Sequence, residues 1–218
     1  MLDWITYIIA IILFFLTHSL PVRPVSKARI VARIGAPGFT IGYSALSIAA
    51  LGFVIYAANN APITQLWPWA PWQNHVTLLA MAFAVAIAAL AIGRPNPLSF
   101  GGRHNGSFDP NAPGIAGWIR HPLLAALLIW ALGHLVPNGN LSHVILFGIF
   151  GVFAAFGMRI IDRRQKRILG AETWAHLSRT RHQIRFNIGG LIRLAIGLAV
   201  YLALIHLHGP VIGAYPLP

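Results

Sequence analysis

The chain is 218 residues long, 57% hydrophobic and only 9% charged, where an average soluble domain carries about 25% charged residues, so a water-soluble globule is excluded. Its 16 Lys and Arg against 4 Asp and Glu give a net charge of +12, but a nucleic-acid binder would hold its basic face in solution, and this chain has too few polar residues to coat a globule. The absence of cysteine also excludes disulfides, thiolate metal sites and cysteine nucleophiles.

Charge-free stretches locate the helices. Asp, Glu, Lys and Arg are missing from 4–22, 34–93, 121–158 and 194–218. A crossing helix needs roughly 20 mainly apolar residues, so the outer stretches hold one span each and the inner two hold two each. The predicted helices are 2–20, 39–58, 75–93, 118–137, 143–162 and 190–208. Between the second and third, NNAPITQLWPWAPWQN places helix-stopping prolines and interfacial tryptophans. The short turn PNGN at 137–140 makes helices four and five an antiparallel hairpin. Met1-Leu2-Asp3 lacks a basic n-region and no small-residue cleavage site follows the apolar run, so no cleaved signal is expected.

Six spans put both termini on one face with the 59–74 and 137–142 turns, which carry no Lys or Arg. All 16 basic residues lie in or beside the other three connections: Arg23, Lys27, Arg29 and Arg33 in the first, Arg94, Arg103 and Arg120 in the second. The third holds Arg159, Arg163, Arg164, Lys166, Arg167, Arg179, Arg181, Arg185 and Arg193. The positive-inside rule makes that face cytoplasmic. The expected fold is a single all-α domain over 1–218, an inner-membrane bundle of about six transmembrane helices with both termini periplasmic.

Polar side chains at membrane depth are the first candidates for chemistry, because burying them is costly. His18 follows the run IIAIILFFLT one turn before Pro21, and His134 lies one turn inside the end of its helix in LLIWALGHLV. Either imidazole can ligate haem iron or another metal, or simply bond a backbone carbonyl. Gly117-Trp118-Ile119-Arg120-His121-Pro122 opens helix four, where proline is tolerated and free backbone donors beside Arg120 and His121 suit a carboxylate or phosphate. The alternative is a positive-inside anchor with a polar neighbour. Asp162 is the acid close to the end of a span; it can pair with Arg163, Arg164 or Lys166, and helical spacing puts Lys166 on its face. Arg179, Arg181 and Arg185 read as a headgroup-binding run. His75, His143, His206 and His208 lie near the periplasmic ends, where two could meet and bind copper or haem, although their spacing fits no standard ligand pattern. His104, His176 and His182 read as solvent-facing.

The segments FFLTHSLPVRP, GIAGWIRHPLLAALLIWALGHLVPNG and IIDRRQKRILGAETW closely resemble the NnrU family of bacterial membrane proteins, from about residue 2 to 185. That resemblance implies a link to denitrification and nitric oxide metabolism. The family is similar to the zeta-carotene isomerases, membrane enzymes that hold haem b. Their two axial histidines match His18 and His134, which makes haem b the implied cofactor, with isomerase-like or redox activity. A cysteine three residues before the second histidine in those enzymes is Ala131 here.

Depth complicates this pairing. With helix one crossing toward the cytoplasm and helix four crossing back, His18 and His134 each fall about 9 Å from the midplane, on opposite sides, at 1.5 Å per residue. His121 shares the side of His18, so His18 with His121 is a competing iron-binding pair. Arg120-His121-Pro122 followed by LGAETW also resembles the isoprenylcysteine and phospholipid methyltransferases, which implies an S-adenosylmethionine site at the cytoplasmic face with Arg120, His121 and Asp162 as its working residues. Asp162 followed by two arginines replaces an acidic pair of those enzymes, and Trp174 replaces a tyrosine. A third reading is a non-catalytic partner of a nitrogen-oxide reductase. The expected partners are the lipid bilayer and a hydrophobic small molecule or that reductase, and no nucleic acid.

Overall fold

A computed structural model describes residues 3–182 and 187–218. Leu2, where the first predicted helix begins, and Arg185 lie outside the described residues. Among those described there are seven α-helices: α1 Trp4–Ser19, α2 Pro24–Asn60, α3 Pro71–Ala91, α4 Pro122–Leu135, α5 Leu141–Leu169, α6 Ala171–Ser178 and α7 Ile188–Ile212. No strand is present among them beyond one isolated bridge between Gln65 and Asn140.

Each predicted span corresponds to a helix, but the lengths differ. α2, α3, α5 and α7 are long and apolar enough to cross a membrane, whereas α1 and α4 are shorter apolar helices of 16 and 14 residues. The expected six crossings therefore become four helices of spanning length and two shorter ones. Large apolar side chains such as Ile41, Ile48, Ile160 and Val211 are mostly exposed, as lipid-facing surfaces require, so the chain has the build of a multi-pass membrane protein.

Local sequence explains the ends. Asp3 caps α1, its carboxylate accepting from the Thr6 amide and hydroxyl at 2.7 Å each. Pro24, Pro71 and Pro122 occupy first-turn positions, where the missing N–H is no loss. Asn187 caps α7 by accepting from the Gly190 amide at 2.7 Å. α2 breaks at Gly35, whose φ of 73° and ψ of 166° lie outside the helical region, with Pro37 just beyond. This kink separates a basic arm carrying Lys27, Arg29 and Arg33 from the apolar stretch that the hydropathy pattern had located at 39–58. Lys27 lies over the Phe39 ring, 5.5 Å from its centre.

The residues fall into two compact units. The first holds residues 1–67 and 140–146, with α1 packed on α2. The buried Tyr7 hydroxyl donates to the Ser142 carbonyl at 2.7 Å, and the Ser142 hydroxyl donates to the Ala58 carbonyl at 2.9 Å. The second unit holds residues 68–139 and 147–218, where α3 packs against both α4 and α7. Close approach depends on small residues: a Cβ at Gly133 would stand 2.7 Å from Ala80, and one at Gly197 2.9 Å from Ala89. Thr77 donates to the Gly133 carbonyl at 2.8 Å, Tyr201 to the Leu78 carbonyl at 3.0 Å, and Arg193 to the Ile92 carbonyl at 2.6 Å beyond the end of α3.

Candidate functional site

The loop between α3 and α4 is organised by Asn96, which lies between Pro95 and Pro97 and is buried. Its side chain donates to the Arg120 carbonyl at 3.0 Å and accepts from the Leu98 amide at 3.1 Å, while its own amide donates to Asn105 Oδ1 at 2.9 Å. Gly101 stands at φ 83°, in the left-handed region that favours glycine, and a Cβ there would push the end of the Leu123 side chain aside. The result holds the buried Ser99 against the start of α4.

His121 precedes α4 by one residue and bridges two partners. Its Nε2 lies 3.1 Å from Asp162 Oδ1 and its Nδ1 lies 3.1 Å from Ser99 Oγ. A carboxylate only accepts, so Nε2 carries the proton and Nδ1 accepts from the Ser99 hydroxyl. Arg120 donates to Asp162 Oδ2 at 2.9 Å, so each oxygen of the carboxylate has one partner. His121 lies outside the apolar helix, and burial lowers its pKa from the ordinary histidine value while the Asp162 charge opposes that shift.

Asp162 therefore pairs with Arg120 and His121, not with its neighbours Arg163, Arg164 or Lys166 along α5. A half-buried carboxylate gains more from a bidentate arrangement with groups already fixed by packing than from flexible exposed side chains. Lys166 instead stands over Trp174, 5.6 Å from its ring centre, and Arg120 stands over the same indole at 5.2 Å. The Trp174 Nε1 is buried without a hydrogen-bond partner. Ser99, His121 and Asp162 are ordered as nucleophile, base and acid, but with Ser99 only 3% exposed the hydroxyl braces the ring and is closed to substrate.

His134 stands at the far end of α4, roughly 20 Å along the helix from His121. Its Nδ1 lies 2.9 Å from the Trp130 carbonyl. A carbonyl can only accept, so Nδ1 is the donor in this contact. Trp130 and Phe147 each bring a ring to within 5.3 Å of the imidazole, and Trp130 also meets Phe150 edge-on. The ring of His208, from α7, lies 6.3 Å away, centre to centre.

His18 belongs to the first unit, in the last turn of α1. Phe14 stacks on its ring at 5.3 Å, Tyr43 approaches at 5.8 Å, and the Tyr43 hydroxyl donates to the His18 carbonyl at 2.8 Å. Its Nδ1 is buried with no hydrogen-bond partner. Of the other histidines, His75 approaches the Pro71 carbonyl at 3.2 Å, and His143 Nε2 donates to Asn59 Oδ1 at 2.9 Å. His104, His176, His182 and His206 are exposed.

The structure thus joins Arg120, His121 and Asp162 in one cluster and sets His134 apart from them. Ser99 and Asn96 belong to that cluster although nothing in their spacing marked them; the signal was a lone asparagine between two prolines in a polar loop. No group of three or more histidine, cysteine or acidic side chains able to hold a metal ion exists among the described residues.

No curated protein and no solved structure is significantly similar to the chain. The family described as NnrU protein matches residues 6–216 of the 218, a range that takes in the three segments on which the resemblance rests. The chain belongs to the NnrU family.

Proposed function

We propose that this NnrU-family chain is a haem b-binding protein of the cytoplasmic membrane, serving redox or isomerisation chemistry linked to nitrogen-oxide metabolism, with His134 as an iron ligand. The carrying observation is the setting of His134: its Nδ1 lies 2.9 Å from the Trp130 carbonyl, which leaves Nε2 to offer, and the rings of Trp130 and Phe147 flank the imidazole. A backbone carbonyl on the far nitrogen is the usual device that orients and strengthens an imidazole ligand. His121 fits an iron ligand less well, because both of its nitrogens are committed to Ser99 and Asp162. His18, with its buried unpartnered Nδ1, also has a nitrogen to offer, and the family resemblance maps an iron ligand onto it. Haem would supply one-electron redox and a Lewis-acidic iron. The chain's own contribution is to hold a nitrogen ligand ready, to present apolar walls to a flat macrocycle and to exclude water.

The test is the absorption spectrum of the detergent-purified protein, oxidised and reduced. A reduced haem b spectrum that disappears in His134→Ala supports the reading. Protein that takes up no haem, even after haemin is added, refutes it.

A second reading, as an S-adenosylmethionine-dependent methyltransferase, is favoured by a different observation: the unpartnered Trp174 Nε1 beside Arg120 and Lys166. Two cations and a free N–H donor suit a carboxylate such as that of S-adenosylmethionine. Calorimetric binding of S-adenosylmethionine that is lost in Arg120→Ala would establish it. Protein that binds neither ligand would leave the role of a non-catalytic partner in a nitrogen-oxide reductase system.

A further inference from the structure

We propose that the basic arm of α2, residues 24–34, lies along the membrane surface and binds the phosphates of anionic phospholipids through Arg29 and Arg33. The packing of the first unit fixes where the arm starts and ends. α1 and the apolar part of α2 run antiparallel: Tyr7 stands level with Ala58 through Ser142, and the Tyr43 hydroxyl meets the His18 carbonyl. Leu20 follows α1, and Phe39 lies one turn before Tyr43, so the chain leaves and re-enters the pair at the same end. Residues 21–38 are an excursion beyond that end.

The arm does not continue the axis of the apolar part. In a straight helix the steps from Lys27 to Phe39 would span about 18 Å. Helical side chains also lean toward the N-terminus, so Lys27 would reach away from the ring. Its Nζ instead lies 5.5 Å from the Phe39 ring centre. The break at Gly35 therefore folds the arm back across the end of the helix pair, and an apolar pair in lipid has the membrane surface at its end.

The charge distribution names the occupant. Within the first unit, the basic residues Arg23, Lys27, Arg29 and Arg33 all sit in this excursion, and the unit's one acid, Asp3, caps the opposite end of α1. Arg29 and Arg33 are exposed, form no ion pair among the described residues, and stand one turn apart on one face. Ile30 and Val31, on the side of Lys27, are half-buried, whereas Val25 and Ile34 are 62% and 54% exposed beside the cations. Exposed apolar side chains interleaved with arginines suit the boundary between headgroups and acyl chains. Each cation there strengthens binding to an anionic surface roughly fivefold. A soluble polyanion would leave Val25 and Ile34 in water.

The experiment uses the full chain in nanodiscs of phosphatidylcholine with a rising fraction of phosphatidylglycerol. Because the chain has no cysteine, Ala32→Cys carries a single polarity-sensitive dye, exposed one turn from Arg29. Its emission should shift to the blue as phosphatidylglycerol rises. With Arg29→Gln and Arg33→Gln together, the shift should need roughly twenty-five-fold more phosphatidylglycerol, or be absent, from a factor of about five for each cation. Arg29→Lys with Arg33→Lys should keep most of the response, which separates loss of charge from misfolding. No shift in the labelled parent, or the same shift with the glutamine pair, overturns the proposal. A shift produced by inorganic phosphate in pure phosphatidylcholine overturns the lipid assignment in favour of a soluble anion.

Discussion

Gly133 on α4 faces Ala80 on α3 so closely that a Cβ at 133 would lie 2.7 Å from the Ala80 Cβ. Gly133→Ala should therefore cost about 1–3 kcal/mol through overpacking, seen as a lower Tm in detergent. Gly148→Ala is the control, because nothing lies within 4 Å of a Cβ there, and it should leave Tm unchanged or raise it. Equal melting of the two variants would contradict the close contact.

The Asp162 cluster should divide unequally. Arg120 and Asp162 have side chains 38% and 31% exposed, so solvent weakens their pair to about 1 kcal/mol. His121, only 5% exposed, is left with an unsatisfied N–H in Asp162→Ala, at about 1–3 kcal/mol. A double-mutant cycle by chemical denaturation should give a larger coupling for Asp162 with His121 than with Arg120. The reverse order would mean that the ion pair dominates.

Gly35 should tolerate no side chain. Its φ of 73° and ψ of 166° lie in a region open essentially to glycine alone, and Gly35→Ala should cost about 1–3 kcal/mol. Limited proteolysis should then cut faster in 24–34 than in the wild type. An unchanged cleavage rate would show that the helix can straighten through this point.

The absence of cysteine makes topology directly measurable. Single cysteines placed at Asn138 and at His104, which lies in the exposed loop before α4, should differ in intact cells. An impermeant maleimide should label position 138 at once and position 104 only after permeabilisation. Equal or inverted labelling would reject the arrangement with the basic connections in the cytoplasm.

Hydropathy carried the apolar helices because membrane burial acts on long stretches of composition, and α3 and α5 stand within a few residues of their predicted starts. It missed the basic arm of α2 because Lys27, Arg29 and Arg33 read as a connection, and a single glycine, not a polar break, divides that helix. Asp162 stood out as an acid among arginines, yet its partners were hidden: sequence displays same-helix neighbours, whereas Arg120 and His121 reach it across packed helices. His208 stood among four periplasmic-end histidines of which two could meet, but the one that it approaches was hidden for the same reason. Its spacing to His206 argues against a shared ion, and the histidine that it meets lies on another helix.

The shortness of α4 reaches beyond the protein. Fourteen residues rise only about 21 Å, against roughly 30 Å of hydrocarbon in an average bilayer. Where α4 crosses, the lipid beside it must dimple or the polar ends must be drawn inward, at a fraction of a kcal/mol for each ångström of mismatch. The Arg120 cluster at one end and His134 near the other then lie closer to water than their places in the sequence suggest, and the protein should favour thin over thick membranes.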